Sequence, residues 1–136
     1  MTPNRILIDT NVLVSALLFG GVPGRIVGAA RLGEIEGVVS LHILHELRTV
    51  LTRPRFGIEQ HVADALAEEI ATFCAVVAVE LADGVWSPDP DDDPVVEAAL
   101  RSQSGIVVTG DAHLLGLDVA GVRFLTTREA LEALGL

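Results

Sequence analysis

The stretch that most constrains the fold is RILIDTNVLV, residues 5–14. Residues 5–8 read as a short apolar strand, and the chain after Asp9 continues to Phe19 without a helix breaker. Asp9 therefore stands where a buried strand ends and a helix begins. An ionised carboxylate is expensive to bury unless another group or an ion pairs with it. Asp9 either caps the helix that follows or binds a ligand.

Short apolar segments alternate with helix-forming segments along the rest of the chain. Further strands are predicted at residues 37–40, 75–79, 106–109 and 122–125. Helices are predicted at residues 11–19, 23–34, 41–52, 59–74, 94–102 and 128–134, and residues 83–94 read as a polar, proline-rich loop. This alternation predicts an α/β fold in which helices cover both faces of a parallel sheet.

The composition indicates one compact domain that spans residues 1–136. Half of the residues are hydrophobic, and the sequence has no repeat, low-complexity tract or linker. No apolar run reaches the roughly 18–20 residues that cross a bilayer, so we expect no membrane association. Asp9 interrupts the N-terminal apolar run, which argues against a signal peptide. The single Cys74 excludes an intramolecular disulfide. We therefore expect a cytoplasmic protein.

The chain is strongly acidic, with a formal net charge of −10, and all nine of its basic residues are arginine. Such a charge repels nucleic acid at long range. A role on nucleic acid would therefore require a local arginine patch, bound cations or a partner. A basic partner protein, or simple solubility, would explain the acidity equally well.

Acidic residues stand where a functional crevice is expected. In a parallel sheet this crevice lies outside the carboxyl ends of the strands, and Asp9 and Asp111 both follow predicted strands. Glu46 lies one turn beyond His42 on the helix after the second strand. The acids directly before the helix at residues 94–102 are Asp91, Asp92 and Asp93. Simpler roles remain open, because Asp111 and Asp93 suit helix or turn caps and Glu46 suits a solvated helix face.

Several carboxylates in one cleft favour a bound divalent cation. Without a cation, their mutual repulsion would shift them toward the protonated form. Ligands that are all oxygen suit Mg²⁺ or Mn²⁺, with water completing the shell. Such an ion activates water and stabilises the charge on a reacting phosphodiester. The sequence therefore predicts that Asp9 binds a metal ion and that the ion binds phosphate.

Other polar residues give weaker signals. Arg48, Arg53 and Arg55 follow Glu46 and are the best phosphate-binding candidates, although a solvated helix end is an equally good reading. Cys74 reads as a core residue, and Trp86 either packs at the cleft edge or stacks on a base. The histidines fit no zinc-binding spacing and read as surface residues: His42, His45, His61 and His113. No phosphate-binding glycine loop is present in the sequence.

Four segments together resemble the PIN-domain family of metal-dependent ribonucleases, in particular the small prokaryotic proteins grouped with VapC-type toxins. The segments are ILIDTNVLVSALL, HILHELRTVLTRPRF, DPDDDPVVEAAL and IVVTGDAHLL, in family order. The resemblance implies a three-layer α/β/α sandwich with a four- or five-stranded parallel sheet. It also implies hydrolysis of RNA phosphodiester bonds by a metal-activated water, with Mg²⁺ or Mn²⁺ as the cofactor.

The resemblance assigns roles residue by residue. Asp9 matches the first acid of the family, Glu46 the second and Asp111 the fourth. Asp92, seven residues before Ala99, fits the third acid, and its neighbour Asp93 is the alternative. Asn11 and Thr109 match the supporting polar residues near the metal. An antitoxin partner and a homodimer are further expectations from the family.

Three functions are compatible with these residues. The first is an endoribonuclease that acts as the toxin of a toxin–antitoxin pair. The second is a PIN-like binding or scaffold module without strong nuclease activity, although a scaffold does not need four acids at one crevice. The third, a metal-dependent phosphatase, would need a general-acid aspartate two residues after its nucleophile, and Asn11 occupies that position.

Overall fold

The computed structural model describes residues 2–78 and 93–136 of the chain. The strands in this part are β1 (Thr2–Ile8), β2 (Glu36–Ser40), β3 (Ala75–Val77), β4 (Ser104–Val108) and β5 (Arg123–Leu125). The helices are α1 (Thr10–Phe19), α2 (Gly21–Arg31), α3 (Leu41–Leu51), α4 (Gln60–Phe73), α5 (Asp93–Ser102), α6 (Ala112–Leu115) and α7 (Thr127–Leu134).

The strands form one five-stranded sheet in the order β3-β2-β1-β4-β5, and every pairing in it is parallel. Ile6 of β1 pairs with Gly37 on one side and Ile106 on the other, so β1 lies in the middle of the sheet. Helices flank the sheet, and the predicted parallel α/β fold is confirmed. β2 and β3 lie on one side of β1, and β4 and β5 lie on the other side. The strand order therefore reverses between β1 and β4.

The central strand is buried on both faces because helices cover both sides of the sheet. Ile6, Leu7 and Ile8 have no exposed surface, and this explains why β1 is a continuous apolar run rather than an alternating one. Ser40 caps α3 by accepting a hydrogen bond from the Ile43 N–H at 3.0 Å, as the sequence predicts.

The main differences from the predicted elements lie at their ends. β1 begins at Thr2, ahead of the Pro3 that was expected to bound it, and its pairing with β4 is irregular between Thr2 and Ile6. A proline without an N–H is tolerated where the ladder is irregular. α2 begins at Gly21 rather than Pro23, because Gly20 and Gly21 both adopt positive φ and turn the chain early.

Membrane-spanning potential is limited among the described residues. None of the individual helices there is long and apolar enough to cross a membrane, while α1 and α2, bent by 102°, pass the same length and composition test as a pair.

Gly37 marks the tightest packing in the sheet. A Cβ atom at this position would lie 2.8 Å from the Cys74 Sγ atom and 2.9 Å from the Ala30 Cβ atom. Cys74 is itself buried, as predicted, and burial raises the pKa of its thiol to about 11. The close contact therefore requires glycine at position 37. The raised pKa keeps the Cys74 thiol protonated, and so unreactive, at neutral pH.

We expect Gly37→Ala to lower the free energy of unfolding by about 1–3 kcal/mol, because the added methyl group overpacks a core that cannot open without moving β2 or α2. The matched control is Gly28→Ala on α2, where a Cβ atom meets nothing within 4 Å. That change should stabilise the protein by about 0.5–1 kcal/mol, since alanine is the better helix former. Urea unfolding of both variants measures the difference, and equal effects would contradict the packing described.

Candidate functional site

The candidate site lies where β1 and β4 end. This is the point at which the strand order reverses, and in open α/β sheets ligands bind in the crevice there. Asp9 directly follows β1, and Thr109 directly follows β4. The two strands are paired in register up to Ile8 and Val108, so the residues after them are brought side by side.

The Asp9 carboxylate is held by three neighbours and is only 6% exposed. The Thr10 N–H donates a hydrogen bond to Oδ1 at 2.8 Å, so Asp9 does cap α1. The Thr109 hydroxyl donates to Oδ2 at 2.8 Å, and the Asn11 side-chain amide lies 3.5 Å from the same oxygen. The cap role and a ligand role are compatible, because Asp9 caps α1 through Oδ1 and still lines the cleft.

Glu46 approaches the same crevice from α3. Its Oε1 atom accepts a hydrogen bond from the Thr10 hydroxyl at 3.1 Å. The His42 Nε2 atom, one helical turn earlier, lies 3.4 Å from the same oxygen. The Glu46 side chain is 44% exposed and lines the cleft.

Asp111 reaches the crevice from the loop after β4. Its Oδ1 atom accepts a hydrogen bond from the His113 N–H at 2.8 Å, so it caps the short α6 as one reading of the sequence proposed. Its own backbone N–H donates to the Thr109 hydroxyl oxygen at 3.0 Å. The Gly110 N–H donates to the Asn11 side-chain oxygen at 3.1 Å. Asn11 and Thr109 thus tie the end of β1 to the loop that carries Asp111.

The electrostatics of this crevice oppose negative charge. Burial raises the pKa of Asp9, and the nearby charges of Glu46 and Asp111 raise it further. The hydrogen bonds from Thr109 and Thr10 act in the opposite direction without cancelling the rise. A bound cation would offset both the burial of the Asp9 charge and its repulsion by the two neighbouring carboxylates.

These acids line one end of a cleft with a volume of about 950 Å³. Arg53 and Arg55, from the turn after α3, line the same cleft. Its remaining walls are formed by Thr10, Asn11, Val14, Ser15, Leu18, Phe19, Val50, Phe56, Val95 and Leu114. The cleft therefore combines carboxylates, arginines and an apolar wall.

The donor set fits a hard divalent cation. Mg²⁺ and Mn²⁺ prefer carboxylate and water oxygens, and Mg²⁺ is commonly held by one or two carboxylates with several waters. Asp9, Glu46 and Asp111 supply such oxygens on one side of the cleft. Within residues 2–78 and 93–136, no three acidic, histidine or cysteine side chains are close enough to hold one ion by themselves. At most two of these acids would therefore contact an ion directly, and water would complete the coordination.

The other predicted site residues divide into two groups. Asp92 lies outside the described residues, as does the side chain of Asp93, so the third acid stays a prediction. Arg48 is not beside the acids. It pairs with Asp64 of α4 at 3.4 Å, which separates it from Arg53 and Arg55.

Two residues at the site were missed by the sequence reading. Thr10 links two of the acids, since its N–H binds Asp9 and its hydroxyl binds Glu46. His42, which the sequence analysis interprets as a surface residue, contacts Glu46. The helical spacing of His42 and Glu46 (i, i+4) was the available signal for this second contact.

The chain also matches a known protein family. A PIN domain family model matches residues 5–113, which include the second half of β1, all of β4 and the three described acids of the cleft. The chain belongs to the PIN domain family. The family predicted from the four sequence segments is thereby confirmed.

A solved structure shares the fold of this chain. A chain in the crystal structure of VapBC2 from Rickettsia felis, bound to a DNA fragment from their promoter, is similar with a TM-score of 0.63. The match covers 90% of this PIN protein and 98% of that chain at 10% sequence identity. No curated protein matches significantly by sequence. At this identity the structural likeness establishes a shared fold.

The raised pKa of Asp9 gives a prediction for stability. The folded protein holds the Asp9 proton more tightly than the unfolded chain does, so ionisation of Asp9 costs stability. This cost is absent below the unfolded pKa of about 4 and is complete above the folded pKa. Without divalent ions, we expect Asp9→Asn to unfold at a higher temperature than wild type at pH 7 and at a similar temperature below about pH 4.

The control for this comparison is Asp118→Asn, since Asp118 is exposed and lies outside the cleft. Thermal unfolding of the three proteins across pH gives the measurement. A variant Asp9→Asn that is less stable than wild type at pH 7 would mean that the lost hydrogen bonds outweigh the burial of charge.

Proposed function

We propose that this PIN domain is a divalent-metal-dependent endoribonuclease that hydrolyses RNA phosphodiester bonds. The observation that supports it best is the convergence of Asp9, Glu46 and Asp111 on one cleft at the switch point of the sheet. PIN domains are in general nucleases, so family membership supports action on nucleic acid. In this proposal residues 1–136 form a single nuclease domain.

Within this proposal Asp9, Glu46 and Asp111 are catalytic metal-binding residues, and Asp92, or Asp93 in its place, is the third acid of the set. A Mg²⁺ or Mn²⁺ ion at these oxygens would supply activation of a water molecule and stabilisation of charge on the phosphodiester. Thr109 and Thr10 orient the Asp9 carboxylate at the wall of the cleft. Asn11 holds the Asp111 loop against α1.

Arg53 and Arg55 are the substrate-binding residues that this geometry favours. Both side chains are exposed on the wall of the cleft, where a phosphate could reach them. Arg48, which the sequence groups with them, pairs with Asp64 and so is a weaker candidate. Because the chain carries a net charge of −10, these local arginines are needed to offset long-range repulsion of RNA.

The biological role that we propose is a cytoplasmic toxin that is restrained by an antitoxin protein and acts as a homodimer. The shared fold with a chain of the VapBC2 structure from Rickettsia felis supports the antitoxin partner. The homodimer and the cytoplasmic location are expectations from the sequence and the family resemblance. A binding module without strong nuclease activity is the alternative. A binding module would use the same cleft, but it would not require acids that converge there or the raised pKa of Asp9.

The first test is cleavage of a mixed set of labelled RNAs with Mn²⁺, with a chelator, and with Asp9→Asn. Removal of a metal ligand should reduce cleavage by about 100-fold or more, since loss of groups that only support the ligands already costs about 10- to 100-fold. Asp118→Asn, the exposed control, should cleave like wild type. Cleavage that persists in chelator or in Asp9→Asn would contradict the site.

A second outcome separates the nuclease from the binding module. If no RNA in the set is cut, titration of Mn²⁺ by calorimetry into wild type and Asp9→Asn decides the question. Binding that requires Asp9 would support a nuclease with a narrow substrate range. The absence of any Mn²⁺ binding would favour the module.

The arginines give a test that does not depend on cleavage. We expect Arg53→Gln and Arg55→Gln each to weaken RNA binding and to reduce the slope of log affinity against log salt by about 0.7, the value for one phosphate contact on a single strand. Arg48→Gln is the matched control and should leave the slope unchanged, because Arg48 is paired with Asp64. An equal reduction of the salt slope by all three changes would show that Arg48 also binds RNA.

A further inference from the structure

Phe19 is an exposed aromatic residue on the wall of the cleft. It is the last residue of α1, and 75% of its surface is accessible to solvent. Asp9 caps the opposite end of the same helix. Ten residues at a rise of about 1.5 Å each place the two ends of the helix about 15 Å apart. The cleft therefore runs from the acids at one end of α1 to an aromatic ring at the other.

Exposure alone does not distinguish Phe19, because isolated apolar residues are common on protein surfaces. Leu32 is also 75% exposed, yet it lies in a separate shallow hollow beside Arg25 and Leu136. Phe19 differs because it continues an apolar wall of the large cleft that includes Leu18, Val50 and Phe56. A ligand that enters the cleft would therefore contact the Phe19 ring.

Positive charge lies on the same cleft. Arg53 and Arg55 are exposed, and neither forms an ion pair with an acidic side chain in the part of the chain that the structure describes. The Arg55 guanidinium lies over the Phe56 ring, with 4.6 Å between its Cζ atom and the ring centroid. In this position the Arg55 guanidinium contacts the ring with one face, and its N–H groups at the edge can still bind phosphate.

We propose that Phe19 is a base-stacking site for single-stranded RNA, which binds along α1 with its phosphates near Arg53 and Arg55 and its scissile phosphate at the acids. The proposal rests on the proposed nuclease function for the identity of the strand. Aromatic rings interleaved with basic groups are the arrangement that holds single strands without sequence readout. A duplex keeps its bases stacked internally and offers none of them to an outside ring.

The charge on the cleft favours RNA over a protein segment as the occupant of this site. The arginines would bind phosphates, and the acids require a cation that phosphates also bind, so both ends of the cleft match a polyanion. A hydrophobic protein segment would need only an apolar side chain at position 19, and leucine would serve it as well as phenylalanine. A nucleobase requires the flat aromatic face, and this difference defines the test.

The test measures binding of a fluorescent single-stranded oligoadenylate by anisotropy, with Asp9→Asn in every protein and without a divalent ion. This background keeps the oligonucleotide intact and removes one negative charge from the cleft. Phe19→Ala and Phe19→Leu should each weaken binding by about 5- to 100-fold, the range for loss of one base–aromatic stack. Phe19→Trp should bind at least as tightly as the parent protein, and Leu32→Ala is the control of equal exposure.

A duplex of oligoadenylate and oligouridylate supplies the second arm, and its binding should not respond to any change at position 19. The proposal is overturned if Phe19→Leu binds the single strand like the parent, which would assign the position to an apolar protein partner. It is also overturned if duplex and single strand lose equal affinity, or if the parent binds no oligoadenylate. In each of these cases, metal-dependent cleavage by the wild-type protein still decides the proposed nuclease function independently.

Discussion

The hydrogen bond between the Thr109 hydroxyl and the Asp9 carboxylate is the contact on which the site depends. It joins residues that are 100 positions apart in the sequence at the point where β1 and β4 end. The same carboxylate begins α1 by accepting from the Thr10 N–H. One side chain therefore fixes the start of a helix, the end of a strand and the position of a buried charge. The crossover that makes β1 and β4 neighbours is what allows this.

The ionised Asp9 side chain lowers the folding stability of the protein, and burial of apolar side chains offsets this cost. Burial and the neighbouring charges of Glu46 and Asp111 raise the pKa of Asp9, so the ionised form costs folding free energy. The fully buried strand residues Ile6, Leu7 and Ile8 supply the apolar burial that offsets the cost. A buried carboxylate whose ionisation costs folding free energy is typical of a functional position.

The sequence predicts the sheet well and the cleft only in part. Apolar runs bounded by glycine, proline and acids identify the strands, because a parallel sheet buried on both faces demands such runs. The same sequence cannot separate Arg53 from Arg48, since both lie near the end of α3. In the structure Arg53 lines the cleft, whereas Arg48 pairs with Asp64. Nor could it identify Phe19 as exposed, because a phenylalanine in an apolar helix reads as core. Whether Asp92 or Asp93 joins the acids also stays open, since neither side chain is among those described.

The overall charge of −10 changes how such a cleft can select its ligand. A basic protein gathers nucleic acid by its long-range field, and its contacts then refine a complex that already exists. This chain has no such field to rely on, so binding must come from the cleft itself. The two exposed arginines, a cation at the acids and an aromatic face would each contribute only when the strand is correctly placed. Low affinity for RNA that does not fit the cleft follows from that arrangement, and selectivity would then arise from shape and position rather than from attraction at a distance.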